Sequence, residues 1–275
     1  MSNGVLCFAH NNGKIDYLKQ AISLAKRIKK HLNLPTTVVT STPSDLKKTD
    51  KKIFDHVIEV EDQNSNLKRY YNGTLHHHNL VFKNASRSNS YELSPYDKTI
   101  VLDTDYIICN DSLKNCFQQT QDFLIYDQAT DLCQWRKLEE FDYIKNTGIK
   151  FYWATCFFFN KTEETKIFFD LLQHIQKNYE HYTKVYKLDA TFRNDHLFSI
   201  GIHMMNGFEK GNWAGQLPGK MFYSLDRDFV HSINGNHIKV LVEKQNYMGE
   251  YILTSTKNCN VHLMNKFSLA EHIDG

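Results

Sequence analysis

The sequence predicts an α/β protein built on a mixed, mainly parallel sheet that is flanked by helices. Within the first sixty residues, an apolar run at 4–9 is followed by apolar residues at helical spacing and then by a β-branched strand at 36–40. With 41% apolar and 13% aromatic residues, a chain of 275 residues can bury a large core. Alternating strands and helices place parallel strands in one sheet, joined by right-handed crossovers.

Each further element is predicted from a local pattern. Thr162 precedes two glutamates and an apolar helical face, which is typical of a capped helix start. Residues 61–95 are polar and weakly periodic, and only a short helix at 80–83 is expected there. We expect helices at 18–32, 163–175 and 195–205, and strands at 4–9, 36–40, 57–60, 123–126, 151–159 and 238–242. Within 94–108, a further buried strand is expected to run directly into two aspartates.

The net charge says little about binding partners, but the cysteine content indicates a reducing compartment. The 33 basic and 31 acidic residues leave a net charge of +2, which neither requires nor forbids a polyanionic partner. The six cysteines form no C-x-x-C pair, so we expect free thiols in a reducing compartment. The N-terminus lacks a basic segment followed by a long apolar one, and no apolar run reaches membrane-spanning length. We therefore expect a soluble cytoplasmic protein without a membrane span.

Two aspartates end a buried strand and form the most informative motif. Asp103 and Asp105 follow an apolar run, at the edge where open α/β sheets bind their ligands. Two carboxylates in apolar surroundings repel each other unless a cation lies between them, and oxygen ligands suit Mn²⁺ or Mg²⁺. The alternative is a pair of solvated aspartates at a strand end.

Several segments around this motif carry a family resemblance. They are Phe8-Ala9-His10-Asn11-Asn12 after the first strand, Asn84 and Arg87 before Ser94-Pro95-Tyr96-Asp97, Leu102-Asp103-Thr104-Asp105, and Val261-His262. Together they resemble the GT-A nucleotide-sugar glycosyltransferases of family 8, which include glycogenin, bacterial lipooligosaccharide galactosyltransferases and phage-encoded enzymes. The resemblance implies a Rossmann-like GT-A domain over residues 1–275, whose C-terminal segment 245–275 returns to a metal site. If the chain is viral, its compartment is the host cytoplasm.

The resemblance also implies roles for individual residues. Asp103, Asp105 and His262 would hold Mn²⁺ or Mg²⁺ against the donor diphosphate, and Asp195 would bind hydroxyls of the donor sugar as a catalytic residue, alongside the two metal-binding aspartates. The residues expected to contact the nucleotide part of the donor are Ala9, His10, Asn11, Tyr17, Arg87, Thr104 and Lys266. Trp153 and Thr155 would lie near the sugar.

The chain departs from the family pattern, and some residues have a plain structural alternative. In family members, the histidine is followed by Gly and then by Lys-Pro-Trp. Here Lys266 comes four residues after His262 and is followed by Phe267 instead of Pro-Trp. Asp195 could instead cap a helix, and Tyr17 could merely cover the start of one. The three histidines at 76–78 are expected to form a solvated loop over the site, because consecutive side chains converge poorly on one ion.

The implied activity is retaining transfer of a sugar from a nucleoside-diphosphate donor, such as a UDP-sugar, to an acceptor hydroxyl on a saccharide or protein. A hydroxymethylated base in duplex DNA is an alternative acceptor, suggested by basic stretches at 26–30, 47–52 and 68–69. A non-catalytic sugar-nucleotide-binding protein is a further alternative. A phosphatase is disfavoured because the D-x-D motif lies far from the first strand. A nucleotidyltransferase is disfavoured because residues 11–14 form only a slight glycine-containing loop.

Overall fold

The computed structural model describes residues 1–61, 66–83, 87–136, 138–189 and 191–273. Its helices are α1 (Tyr17–His31), α2 (Lys48–Lys51), α3 (Ser90–Leu93), α4 (Glu163–Lys177), α5 (Tyr179–Val185), α6 (Asn194–Met205) and α7 (Lys266–Glu271). Its strands are β1 (Asn3–Phe8), β2 (Thr36–Thr40), β3 (His56–Glu59), β4 (Asn66–Tyr71), β5 (His77–Phe82), β6 (Lys98–Leu102), β7 (Tyr106–Ile107), β8 (Phe123–Tyr126), β9 (Thr130–Asp131), β10 (Trp153–Asn160), β11 (Gly215–Gln216), β12 (Met221–Ser224), β13 (Phe229–Asn234), β14 (His237–Glu243), β15 (Tyr251–Lys257) and β16 (Asn260–Leu263).

The main sheet has seven strands in the order β11-β8-β10-β6-β1-β2-β3. Strand β10 runs antiparallel to both of its neighbours, and every other pair in the sheet is parallel. Helices α1, α4 and α6 flank this sheet and bury their apolar faces in its core. The prediction of a mixed, mainly parallel α/β sheet is confirmed, and the antiparallel β10 makes it mixed.

The three long helices lie where the apolar spacing predicts them. Helix α4 begins after Thr162, whose hydroxyl accepts a hydrogen bond from the backbone of Thr165. The threonine side chain of Thr165 bonds back to the Thr162 backbone, so two N–H groups at the helix start find partners. The predicted strands correspond to β1, β2, β3, β6, β8, β10 and β14 within a few residues.

The short helix expected at 80–83 is wrong. Residues 77–82 form strand β5, which pairs antiparallel with β4 in a two-stranded hairpin. The inward side chains of Tyr70 and Leu80 are buried, while their neighbours on the outer face are exposed. Cross-strand pairing and packing against the rest of the protein thus decide the conformation, and neither leaves a helical pattern in the sequence.

A second layer is formed by the later part of the chain. Strands β7, β16, β12 and β9 make a four-stranded sheet, and β13, β14 and β15 make a three-stranded one, with an apolar cluster shared between them. In the first of these sheets, His262 on β16 is paired with Tyr106 on β7 and with Tyr223 on β12. Because β7 directly follows the D-x-D motif, this pairing brings His262 close to Asp105.

A buried ionic cluster ties the second layer together. The guanidinium of Arg136 donates hydrogen bonds of 2.6–2.9 Å to the carboxylates of Asp131 and Asp228. Asp228 also accepts from the backbone of Leu225 and Glu243, so the cluster joins β9, β13 and β14. Among the residues that the structure describes, no helix combines the length and the apolar character needed to cross a bilayer.

Candidate active site

A pocket of about 170 Å³ opens at the carboxyl ends of β1 and β6. This is the edge of an open α/β sheet at which ligands bind. Its lining includes residues from the D-x-D segment, the start of α6, the hairpin and the C-terminal segment. The residues that line it are Phe8, His10, Tyr17, Lys68, Tyr70, Phe82, Lys83, Arg87, Asp103, Thr104, Asp105, Trp153, Thr155, Phe192, Arg193, Asn194, Asp195, Asp226, His262, Met264 and Lys266.

Three predicted metal ligands converge in this pocket. Asp103, Asp105 and His262 each offer one ligand atom, and these atoms all lie within 4.8 Å of one another. Nε2 of His262 lies 3.3 Å from Oδ2 of Asp105. His262 and Asp105 are buried, and Asp103 is partly exposed. Two carboxylates and an imidazole form a donor set that suits a divalent ion such as Mn²⁺ or Mg²⁺, so the residues fit the implied metal.

Lysine and arginine side chains neutralise both aspartates. Nζ of Lys266 donates a hydrogen bond of 2.6 Å to Oδ2 of Asp105, and Arg87 forms an ion pair with Asp103. Burial by itself would raise the pKa of the Asp105 carboxyl. The positive charges of Lys266 and His262 outweigh that effect and hold the pKa well below its usual range. Asp105 is therefore ionised at neutral pH.

A bulge in β10 explains how Arg87 and Asp195 are positioned. The pairing of β10 with β8 is interrupted between Trp153 and Phe157, which leaves the peptide groups of Ala154 without strand partners. The backbone N–H of Ala154 donates to Oδ1 of Asp195 at 3.0 Å, and its carbonyl accepts from Arg87 at 3.0 Å. Asp195 is thus anchored to β10, and the hydrogen bonds described for it do not include a capping bond to the N–H groups of α6.

The wall near Asp195 contains polar atoms that lack a protein partner. Thr155 and Asn194 are buried and line the pocket. Within the described part of the chain, neither the hydroxyl of Thr155 nor the side-chain oxygen of Asn194 has a hydrogen-bond partner. Buried polar groups are nearly always hydrogen-bonded, so this wall suits a ligand that carries hydroxyl groups.

Of the residues predicted to contact the nucleotide, some line the pocket and some do not. Tyr17 and His10 line it, and burial raises the pKa of Tyr17 to about 12. Thr104 lines it too, but its hydroxyl donates to the side chain of Gln20. Ala9 and Asn11 are not part of the lining. The N–H of Ala9 bonds to β2, and the amide oxygen of Asn11 accepts from the backbone at the start of α1.

The hairpin of β4 and β5 contributes side chains that the sequence reasoning missed. Lys68, Tyr70 and Phe82 project from its inner face into the pocket, and Asp226 reaches the same pocket from the loop after β12. The alternation of inward and outward residues in 67–71 is the signal that could have revealed the strand. The sequence does not show this alternation as a simple change between apolar and polar residues, because the inward face carries the polar Lys68 as well as Tyr70.

Two expectations fall on or near this hairpin. The three histidines at 76–78 belong to its turn and to β5, and the ring of His78 packs against Phe267 with centroids 4.8 Å apart. Within the described ranges, the Asp103, Asp105 and His262 cluster is the group of side chains arranged to hold a metal ion. Asn84 lies outside the described residues.

No protein-family model and no curated protein matches the chain. Solved structures that resemble it include the glycosyltransferase GlyE of Streptococcus pneumoniae TIGR4, which is 12% identical with a TM-score of 0.45 over 79% of this chain. Two structures of the galactosyltransferase LgtC, one with donor and acceptor sugar analogues, are 12% and 14% identical with TM-scores of 0.44 and 0.46 over 83% of this chain. The chain spans 45% of GlyE and 75% of LgtC.

Proposed function

We propose that the protein is a metal-dependent glycosyltransferase that moves a sugar from a nucleoside-diphosphate donor, with UDP-sugars as the first candidates, to an acceptor hydroxyl with retention. The observation that carries the proposal is the meeting of Asp103, Asp105 and His262 with Arg87 and Lys266 in one pocket. We take the chain as one GT-A domain over 1–275, whose C-terminal segment 245–275 returns to the metal site.

The charges in the pocket support a metal and a diphosphate together. Five lysine or arginine side chains and four aspartates line it. A divalent cation bound between the aspartates would add to that positive excess, and a diphosphate would neutralise it. The same pocket would be poorly balanced for a neutral sugar alone, since like charges in a confined space repel each other.

Arg87 and Lys266 would bind the leaving diphosphate. In the structure they pair with Asp103 and Asp105, and both can exchange a carboxylate oxygen for a phosphate oxygen. When bound, the metal supplies Lewis-acid stabilisation of the negative charge that develops on the leaving group. The cationic side chains act at the same place, where charge grows as the bond to the anomeric carbon breaks.

Asp195, Asn194 and Thr155 would hold the donor sugar. Oδ1 of Asp195 accepts a hydrogen bond from the N–H of Ala154, and its Oδ2 lies 3.9 Å from Nη2 of Arg193. An anchored carboxylate of this kind suits hydrogen bonding to sugar hydroxyls better than covalent attack. We therefore propose that the acceptor hydroxyl attacks from the same face as the departing diphosphate, which takes its proton.

Calorimetry with UDP and Mn²⁺ tests the proposal. We expect UDP to bind in the presence of Mn²⁺, and binding to be lost with EDTA or in Asp103→Asn and Asp105→Asn. Asp170→Asn, an exposed change on α4, is the matched control and should bind as the unchanged protein does. Equal UDP affinity with and without EDTA would contradict the proposed metal dependence. A panel of nucleotide sugars then distinguishes an enzyme, which hydrolyses one of them slowly, from a binding protein.

No observation favours duplex DNA as the acceptor, and we do not propose it. The basic residues at 26–30 lie in the C-terminal half of α1, at the end opposite to Tyr17 in the pocket. Arg27 is engaged within the protein, since its guanidinium donates to the carbonyls of Ile108 and Gly235. Lys51 and Lys52 precede β3, at the sheet edge away from the pocket. Lys68 lies inside the pocket.

A further inference from the structure

Lys68 is a pocket cation that has no hydrogen-bond or ion-pair partner among the described residues. It lies on β4, where alternation directs Lys68 and Tyr70 inward and leaves Arg69 exposed. Across the described ranges of the chain, its ammonium group has no hydrogen bond and no ion pair, and it lies over the ring of Phe82, 5.3 Å from Nζ to the centroid. Nζ of Lys266 lies 6.0 Å from the centre of the same ring. Both lysines therefore line the pocket near the same ring.

The surroundings of Lys68 leave it short of negative charge. Burial is the main influence that lowers its pKa, to about 8, and the positive charges of Arg193 and Lys266 lower it further. Asp226 and Asp195 oppose these effects only in part. A lysine held close to two other cations is stabilised by an anion that all of them can approach.

The protein holds the hairpin over the pocket, so Lys68 has a defined place. The hydroxyl of Tyr70 accepts a hydrogen bond of 2.6 Å from the backbone N–H of Lys266 and donates to the carbonyl of Met264. The neighbouring N–H of Tyr71 donates to Asp226 at 3.2 Å. On the other side, the amide of Asn12 donates to the carbonyl of Val81 at 3.0 Å.

We propose that Lys68 is a further cationic contact for the donor diphosphate, supplied by the hairpin of β4 and β5. This inference rests on the proposed function. The ammonium of Lys68 would donate to an oxygen of the phosphate that Lys266 also contacts, because both lysines line the pocket and lie near the ring of Phe82. The diphosphate would then be held between two lysines, one from each of two segments far apart in the chain.

The test compares two neighbouring positions on one strand. Lys68→Met removes the charge and keeps most of the apolar stem, and Arg69→Met makes the same kind of change on the outer face. The probe is the tightest binder among UDP, GDP, ADP and CDP, titrated with Mn²⁺ by calorimetry, with the corresponding nucleoside as a second ligand. We expect Lys68→Met to weaken diphosphate binding by about tenfold or more, with nucleoside binding unchanged. Arg69→Met should match the unchanged protein, and Lys68→Arg should retain part of the affinity.

The outcomes separate this inference from the proposed function. If no nucleoside diphosphate binds the unchanged protein with metal, the proposed function fails and this inference fails with it. If binding is metal-dependent and is lost in Asp103→Asn, but Lys68→Met binds as tightly as Arg69→Met, only the assignment of Lys68 is overturned. Equal loss of diphosphate and nucleoside binding in Lys68→Met would also overturn it. Lys68→Gln replaces Lys68→Met if the melting temperature shows that the latter is poorly folded.

Discussion

Nζ of Lys266 lies 2.6 Å from Oδ2 of Asp105, although 161 residues separate the two in sequence. The contact joins the start of α7 to the segment after β6 and closes one side of the pocket. Both side chains are almost fully buried. Removing one member of such a pair leaves an uncompensated buried charge, which typically costs about 3–5 kcal/mol. Loss of either partner alone is therefore expected to destabilise the protein before any ligand is bound.

His262 is expected to affect metal binding more than folding. His262→Gln should weaken Mn²⁺ binding by about tenfold or more, because one of three ligand atoms is replaced by a weaker donor. Electron paramagnetic resonance of free Mn²⁺ measures the affinity, and His231→Gln on the exposed face of β13 is the control. A variant that unfolds instead, or one that binds Mn²⁺ normally, would contradict the assignment of His262 as a ligand.

Two substitutions of Asp195 separate its proposed contact with the donor sugar from its structural hydrogen bond with the N–H of Ala154. Asp195→Asn keeps an oxygen that can accept from the N–H of Ala154, whereas Asp195→Ala removes it. We expect Asp195→Asn to slow sugar transfer while nucleoside-diphosphate affinity stays the same, because only contacts to the sugar are weakened. Asp195→Ala should in addition lose about 1 kcal/mol of unfolding free energy. Unchanged turnover per folded molecule in Asp195→Asn would show that the residue is purely structural.

The affinity for nucleoside diphosphate should fall as the pH rises through about 8 if Lys68 contacts the phosphate. The sign follows from the lowered pKa, because Lys68 is protonated and attracts phosphate below that pH and is neutral above it. Arg193, Lys266, Asp195 and Asp226 are the charged groups around it. Calorimetry with Mg²⁺ between pH 7 and 9 measures the effect. Lys68→Arg should flatten the profile, since a guanidinium stays protonated throughout; an equally steep fall in that variant would argue against Lys68.

Arg136 should be essential for the stability of the second layer. Arg136→Met leaves the carboxylates of Asp131 and Asp228 buried without their cation, which we expect to cost about 3–5 kcal/mol at pH 7. Burial already raises the pKa of Asp131, and loss of the guanidinium raises it further. The deficit should therefore shrink as the pH falls and the carboxyl of Asp131 takes up a proton. Urea denaturation at pH 5 and pH 7 measures it, with Arg69→Met as the exposed control, and a loss below 1 kcal/mol at pH 7 would be inconsistent.

Local patterns predicted the framework of the protein. Apolar spacing located α1, α4 and α6, and apolar runs located six of the seven described strands of the main sheet, because each of these depends on residues close together in the chain. The sequence did not predict β11, a two-residue strand in a glycine-containing stretch. The position of Asp103 and Asp105 at a strand end was also readable locally. Their meeting with His262, Lys266 and Asp195 was implied only by the family resemblance.

The sequence by itself determined six of the seven described strands of the main sheet and where the two aspartates leave it. Only the tertiary structure decided that 66–82 is a hairpin and that Lys68 faces the pocket. The bulge at Ala154 that anchors Arg87 and Asp195 was likewise decided by packing. The period of the apolar residues in a segment shows which face of that helix or strand is buried. Contacts such as Tyr70 with Lys266 depend on segments almost two hundred residues apart, and they leave no periodic trace in either segment.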